Sequence, residues 1–457
     1  AHLLREGTWR REAERLVERL GGRRSIALVT PTHLARNPRL VKEADALAAA
    51  GCDVDVFYCR FMPEVVEHDD RIVSRAAWRA HAVSYVREEA PFTFWWSRLR
   101  RHVCRKAFDR LGRRSPDWLM ARAYERIYPE LLRLVRKHAA TQRAANMYPP
   151  DLYIAHNLQA LPVALRAGRR HGARVGFDAE DFHTGMYLER DLQCLDRRLV
   201  VQVEERGIRA CDYVTAAAPY IAEAYERRYE ISRPETVLNT FPSAMRPRAP
   251  RPTDPEAPLT LYWFSQTIGP VRGLEDAAIA MARLADLPVE LHLRGQVTDS
   301  AYVDYLRKLA GDAGERIVLH DLAPADEMIR LAAQYDVGLA LETPVQHNRD
   351  ICLSNKIFSY LAAGNAVLAS GTTAQKALMQ RLGPVGAVYS PGNGREMALF
   401  VRQWHESREL LDDRRQHAWR AATDRFNWEY EQDVFLRVIT RLFDERRETG
   451  VQRSSAA

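Results

Sequence analysis

The sequence predicts an α/β protein of two Rossmann-like halves, and three observations carry that prediction. Short apolar runs alternate with amphipathic helical stretches along most of the chain, the rhythm of parallel sheets layered with helices. At 457 residues the chain exceeds one ordinary core. The rhythm is broken by "NTFPSAMRPRAPRPTDPEAP" (239–258), whose six prolines forbid an element interior and mark an interdomain linker.

The elements follow in order. SIALVT (25–30) reads as a strand, with helical sequence through LVKEADALAAAG and a second strand at DVDVFY (53–58). Later strands are expected at DLYIAH (151–156), ARVGFDA (173–179) and DYVTAAA (212–218). Beyond the proline-rich stretch the rhythm restarts with LTLYWFS (259–265), VELHLRG (289–295) and RIVLHD (316–321). DVGLALE (336–342), AVLAS (366–370) and AVYS (387–390) complete the second set. NWEYEQDVFLRVITRLF (427–443) is an amphipathic helix expected to pack back on the first half.

Composition narrows the function classes. With 46% hydrophobic and 28% charged residues the chain is of the soluble globular type. No run reaches the roughly 18 apolar residues of a membrane span, and AHLLREGTWRREAERL lacks the apolar stretch of a signal peptide. The six cysteines are scattered without a C-x-x-C or Cys/His cluster, so reduced thiols, a cytoplasmic location and no structural zinc are expected. A net charge of +7 suits an anionic ligand or membrane surface; no reader motif points to nucleic acid.

The stretch SNKIFSYLAAGNAVLAS (354–370) holds the sharpest clue. Ser354 is a candidate N-cap, Ile357, Phe358, Leu361 and Ala362 share one apolar face, and Gly364 stands where a left-handed cap is wanted. Lys356 in the first turn opposes the helix dipole unless an anion binds there. Strand ends are where open α/β sheets hold ligands. After LTLYWFS, Gly269 and Pro270 make a tight turn with Arg272 at the following helix, a plausible phosphate cradle or an ordinary βα turn. Leu322 offers backbone at another strand end, and Glu342 could accept a sugar hydroxyl or simply be solvated.

In the first half, THLARNPRLVKEADAL sets His33, Asn37 and Arg39 at a strand-to-helix passage. His156 ends the strand DLYIAH, and FDAEDFHTG gathers Asp178, Glu180, Asp181 and His183 past the next. So many titratable groups are hard to explain by packing, since charges are seldom buried unpaired. The segment 91–115 is a basic amphipathic helix: Trp96, Leu99, Val103 and Ala107 lie near one face, and Arg98, Arg101, Arg105 and Lys106 populate the rest. It either rests on anionic lipid or packs as a helical insertion with a solvated basic face.

In order and spacing, IGPVRGLEDA, LHLRGQ, HDLAPADEMIRL, YDVGLALE, NKIFSYLAAGNAVLAS and RFNWE resemble the donor half of a GT-B glycosyltransferase. AHNLQALPVA, FDAEDFHTG and VLNTFP extend the likeness into the first half. The nearest pattern is the large retaining Glu-x7-Glu family, family four-like, whose two Rossmann-like domains face across a cleft. The resemblance implies an acceptor-side domain over 1–245 with a helical insertion near 91–145, a donor domain over 246–425, and a closing helix over 426–457. It implies a nucleotide-diphosphate sugar as co-substrate, a hydroxyl acceptor and no cofactor. No metal is expected, since no D-x-D stands where one would bridge the phosphates.

Under that resemblance Thr267, Gly269, Arg272, Leu322, Glu342, Ser354, Asn355, Lys356, Ile357 and Ser359 bind the donor. His33, Asn37, Arg39, Asp178, Glu180 and His183 face the acceptor, and Arg272, Lys356, His156 and Asp181 are catalytic. Arg272 and Lys356 would stabilise the departing phosphate. A retaining route uses that phosphate as base; an inverting one would need Asp181, Glu180 or His156. Three departures stand out. Ser359 replaces the ribose-binding Glu, Ile351 with Asp350 beside it replaces the earlier Glu, and Thr267 replaces a basic residue. The rivals are a nucleotide-sugar epimerase and a catalytically silent scaffold of the same architecture.

Overall fold

The computed structural model describes residues 24–144 and 148–454. It divides into two units, Ala1–Val237 with Gln432–Ala457, and Leu238–Glu431. The first unit opens with β1 (Ser25–Val29), α1 (Pro38–Ala49), β2 (Asp53–Arg60), α2 (Pro63–Arg75) and β3 (Arg79–Ser84). Three helices follow: α3 (Pro91–Leu111), α4 (Asp117–Tyr124) and α5 (Tyr128–Ala144). Then come β4 (Leu152–His156), α6 (Leu161–His171), β5 (Arg174–Ala179), α7 (Leu195–Ile208), β6 (Tyr213–Ala216), α8 (Pro219–Tyr229) and β7 (Glu235–Thr236). The strands pair in parallel in the order β3-β2-β1-β4-β5-β6-β7. Strand order reverses at β1 and β4, the switch point where ligands of such sheets gather. Ile26 to Val29 and all of β4 are fully buried, as strands covered on both faces must be.

The second unit holds β8 (Leu259–Ile268), α9 (Leu274–Arg283), β9 (Val289–Val297), α10 (Ser300–Ala310), β10 (Ile317–His320), α11 (Met328–Ala332) and β11 (Val337–Ala340). α12 (His347–Ile351), α13 (Asn355–Ala363), β12 (Ala366–Ser370), α14 (Thr373–Leu382), β13 (Gly386–Tyr389), α15 (Gly394–Glu406) and α16 (Arg408–Asp424) complete it. Its parallel order is β10-β9-β8-β11-β12-β13, with the switch between β8 and β11. One core cluster gathers around Trp263, Leu291, Leu339 and Trp404. Another, around Tyr262, Phe358 and Tyr360, seats α13. Gly338 lets that helix approach: a Cβ there would stand 2.1 Å from the Tyr360 ring. The Tyr360 hydroxyl donates to the carbonyls of Tyr262 and Leu339, each at 3.2 Å. α17 (Trp428–Ser454) starts in the second unit and from Gln432 onward belongs to the first.

Three features depart from the sequence reading. β3 and β7 are edge strands the apolar pattern does not announce, because RAHAVS leaves most of its side chains partly exposed. The proline-rich stretch is strapped to the second unit rather than free. Arg246 donates to Trp419 O (2.7 Å) and Thr423 Oγ1 (2.6 Å), and Arg251 donates to the buried Asp336 (2.6 Å). Hence the division follows Val237, not residue 245. On α3, where the sequence leaves two packings open, the apolar face is not the one that packs on the protein. Its buried residues are Ser97, Cys104 and Phe108, whereas Phe92, Trp95, Trp96, Leu99 and Val103 are 46–76% exposed. Arg100 and Arg105 turn instead to Glu130 and Asp196.

Candidate functional site

At the switch point of the second sheet the loop after β8 turns sharply. Val271 takes φ 64°, a left-handed conformation that costs a β-branched residue of order 1–3 kcal/mol. Arg349 of α12 holds the turn by donating to Val271 O at 2.7 Å. Across the switch, Glu342 follows β11. Its backbone N–H donates to Ser370 Oγ (2.7 Å), and the same hydroxyl donates to Glu342 O at 2.8 Å. The carboxylate, thus aimed, lies 3.8 Å from Lys356 Nζ.

Lys356 stands in the first turn of α13 over the Trp263 ring, 5.5 Å from its centroid. Burial presses its ammonium below the usual lysine range; Glu342 pulls it back, while Arg272 and Arg349 push it down again. Three cations and one carboxylate therefore meet at the start of a helix, where the dipole adds further positive potential. Ser354 occupies the N-cap position, but its side chain makes no capping bond, contrary to expectation. Gly364 closes the helix at φ 76° as expected.

Other expected donor residues fall differently. Gly269 is buried at the turn and Asn355 opens α13 exposed. Thr267 pairs with Gln296 inside the β8/β9 ladder, so it precedes the turn instead of lining it. Ile357 is buried in the core, and its side chain cannot face the helix mouth. Ser359 is 1% exposed and donates back to Asn355 O at 3.3 Å, so its hydroxyl is directed into its own helix. Ile351 is buried, and Asp350 caps α14 through Thr373 N (2.9 Å) and Oγ1 (2.7 Å). Leu322 is 56% exposed beside Asp321, whose carbonyl accepts from Arg294 at 2.8 Å. Sequence reasoning missed Arg349; its place as the third residue of a short helix next to Asp350 carried no distinguishing pattern.

The first unit's switch point carries a buried charge network. Arg39 of α1 forks onto Asp178 at 2.5 and 2.8 Å and donates to Val237 O at 2.6 Å. Thr215 donates to the same carboxylate at 2.7 Å. His156 lies 3.2 Å from Glu43 and 3.4 Å from Asp178, with Glu180 at 3.7 Å. These are ion-pair contacts; neither ring nitrogen has an aligned hydrogen-bond partner among the described residues. Burial alone would lower the His156 pKa, but Glu43, Glu180 and Asp178 outweigh it and bring it up to about 10.

A folded-state pKa above the unfolded value means that folding gains most when His156 is protonated. Stability of the first unit is expected to be full below about pH 6.5 and to fall as pH rises towards 10. Denaturant unfolding at pH 6, 8 and 10 checks this, and His156→Gln should flatten the slope.

His156, Arg39 and Asp178 were expected at the surface of a site and instead turn inward. His33 is also buried: Nδ1 pairs with Asp69 Oδ2 at 2.6 Å, and Nε2 accepts from the N–H groups of Phe61 and Met62 (2.9 and 3.0 Å). Asn37 caps α1 through Leu40 N at 3.1 Å. His183 lies against Glu204 (3.6 Å), a buried carboxylate that also accepts from Tyr229 at 2.7 Å. Partly exposed members remain: Glu180, 24% exposed and bonded by Asn37 and Asn157, and Asp181. Glu43, His156 and Asp178 have the spacing of a metal site, but Asp178 is already engaged by the Arg39 fork and Thr215.

No family model matches the chain, and no curated protein matches it. Solved structures do. Sucrose-phosphate synthase from Thermosynechococcus elongatus aligns over 92% of this chain and 99% of its own, at 15% identity and TM-score 0.65. HepE from Anabaena, in complex with UDP, aligns over 92% and 100% at 15% identity and TM-score 0.62. The fold is GT-B. A putative UDP-N-acetylglucosamine 2-epimerase from Listeria monocytogenes also shares it, with 11% identity and TM-score 0.53 over 93% and 97%. Within this GT-B chain the second unit supplies the convergent cations, and the first supplies a buried ionic network with two carboxylates at its edge.

Proposed function

We propose that the protein is a glycosyltransferase that moves a sugar from a nucleotide-diphosphate donor to a hydroxyl acceptor, retaining and without a metal. The carrying observation is the cationic helix start: Lys356 with Glu342 at 3.8 Å and under the charge of Arg272 and Arg349. A diphosphate there offsets the burial, and with it the repulsion from Arg272 and Arg349, that lowers the lysine's pKa. Charge building on the leaving phosphate is met by Lys356, Arg272 and the first N–H groups of α13. Glu342 holds Lys356 and accepts a sugar hydroxyl. Backbone near Leu322 carries the base. Glu180 and Asp181 orient the acceptor. The GT-B likeness to HepE in its UDP complex supports the donor class.

The test is thermal stability against UDP, GDP, ADP, TDP and CDP, for wild type and Lys356→Ala. One nucleotide at 100 times its dissociation constant should add about 2.7 kcal/mol to wild type, and the gain should vanish in the variant. No shift from any of them would favour the silent scaffold. Turnover of a nucleotide sugar to its epimer without acceptor would favour the epimerase.

The exposed apolar stripe of α3 rests on an anionic bilayer in this reading, beside Arg98 and Lys106. No helix among the described residues is long and apolar enough to cross one. Sedimentation with vesicles of phosphatidylglycerol and phosphatidylcholine should capture wild type, and Trp95→Ser with Trp96→Ser should cut that binding by roughly tenfold or more. Equal binding by the double variant would sink the membrane role.

A further inference from the structure

The first unit carries a groove of about 850 Å³ along α5 and α6, reached by the side chains of Arg100 on α3 and of Trp118 and Arg122 on α4. Eight arginine and lysine side chains line it, and among the described residues no carboxylate does. Arg133, Arg136 and Arg143 follow the helical repeat of α5 over about 15 Å at 1.5 Å per residue. Arg166 and Arg170 of α6 line it as well.

Internal compensation is thin. Arg100 forks onto Glu130 at 2.9 and 2.7 Å. Among the described residues, none of the other seven has a carboxylate at ion-pair distance. The Nε atoms of Arg122 and Arg136 are buried without a hydrogen-bond partner. Burial, then Arg143, Arg170 and Arg136, depress the pKa of His171 at the same groove. Such repulsion persists at a folding cost unless an anion offsets it.

The groove is separate from the strand-end sites. α6 leaves the carboxyl end of β4 and runs back to the start of β5, so Arg170 and His171 lie toward the opposite edge of the sheet.

We propose that this groove is an exosite for an acidic glycan, holding a carboxylate- or phosphate-bearing stretch of the acceptor while its end is extended elsewhere; this rests on the transferase reading above. A line of forks about 15 Å long exceeds what one phosphate can satisfy and matches anions repeated along a chain. Arginine predominates seven to one over lysine, and its planar fork fits carboxylate and phosphate oxygens in pairs. Trp118, 53% exposed at the lining, offers a flat apolar face for a sugar ring. A bilayer would meet the rim and not the floor, and single-stranded nucleic acid asks for a succession of stacking platforms.

The full chain is tested by fluorescence anisotropy with a labelled oligogalacturonate and with a neutral dextran oligomer of equal length. The acidic probe should bind and the neutral one should not, with at least about tenfold weakening between roughly 50 and 200 mM salt. Arg133→Glu with Arg136→Glu and Arg143→Glu should lower affinity by about tenfold or more, and Arg136→Gln alone by a smaller step. The nucleoside-diphosphate shift should survive in both, which shows that the variants fold. Equal binding of the dextran, or unchanged affinity in the triple variant, overturns the exosite. So does groove-dependent binding of poly(U) or of phosphatidylglycerol vesicles that is tighter than that of the glycan. A missing nucleotide shift with groove-dependent glycan binding would instead remove the transferase reading and leave the glycan site standing.

Discussion

Arg39→Ala is expected to destabilise the first unit by about 3–5 kcal/mol, the scale of removing one partner from a buried ion pair. The guanidinium is 1% exposed and serves Asp178, Glu43 and Val237 O together. Truncation leaves Asp178 with Thr215 and the longer contact to His156, and leaves the Val237 carbonyl without its donor. Arg39→Lys should recover only part of the loss, because one ammonium cannot fork onto both carboxylate oxygens. Denaturant unfolding measures both; a loss below about 1 kcal/mol for Arg39→Ala would mean the network contributes no more than a surface pair.

Lys356→Met should separate stability from activity. The side chain is 14% exposed, and its charge is held against burial and against two arginines. A methionine of similar length removes that unfavourable desolvation, so the unliganded protein should be as stable as wild type or more so. Turnover of the donor should fall by about 10²–10³, as when one preorganised stabiliser of a developing oxyanion is lost. The measurements are unfolding without nucleotide and steady-state transfer with the donor identified by thermal shift. A variant with near wild-type turnover would remove Lys356 from the chemistry.

The sequence made the second unit legible because its site is written in backbone punctuation. Gly364 and the run of short strands are local, and Lys356 is conspicuous because it opposes a dipole that any helix has. What stayed hidden was directional. A titratable residue at a strand end reads the same whether it faces outward, as Glu180 partly does, or inward, as His156 and Asp178 do. Only the arrival of Arg39 and Glu43 from α1 makes burial of those charges tolerable, and that pairing spans 139 residues. Arg349 was illegible for a like reason: its partner is a backbone carbonyl 78 residues away. On α3 the helical period was visible, but period alone does not say which face meets the protein.

The passage of α17 into the first unit has a consequence for biosynthesis. The second unit is one continuous stretch, Leu238–Glu431, whereas the first is completed only by residues from Gln432 onward. Phe435, Ile439 and Phe443, all buried, leave the ribosome only after the whole second unit. Domains tend to fold as units in the order they emerge. Here the half that is translated first is the half that must wait, its apolar surface uncovered until the whole second unit has been made.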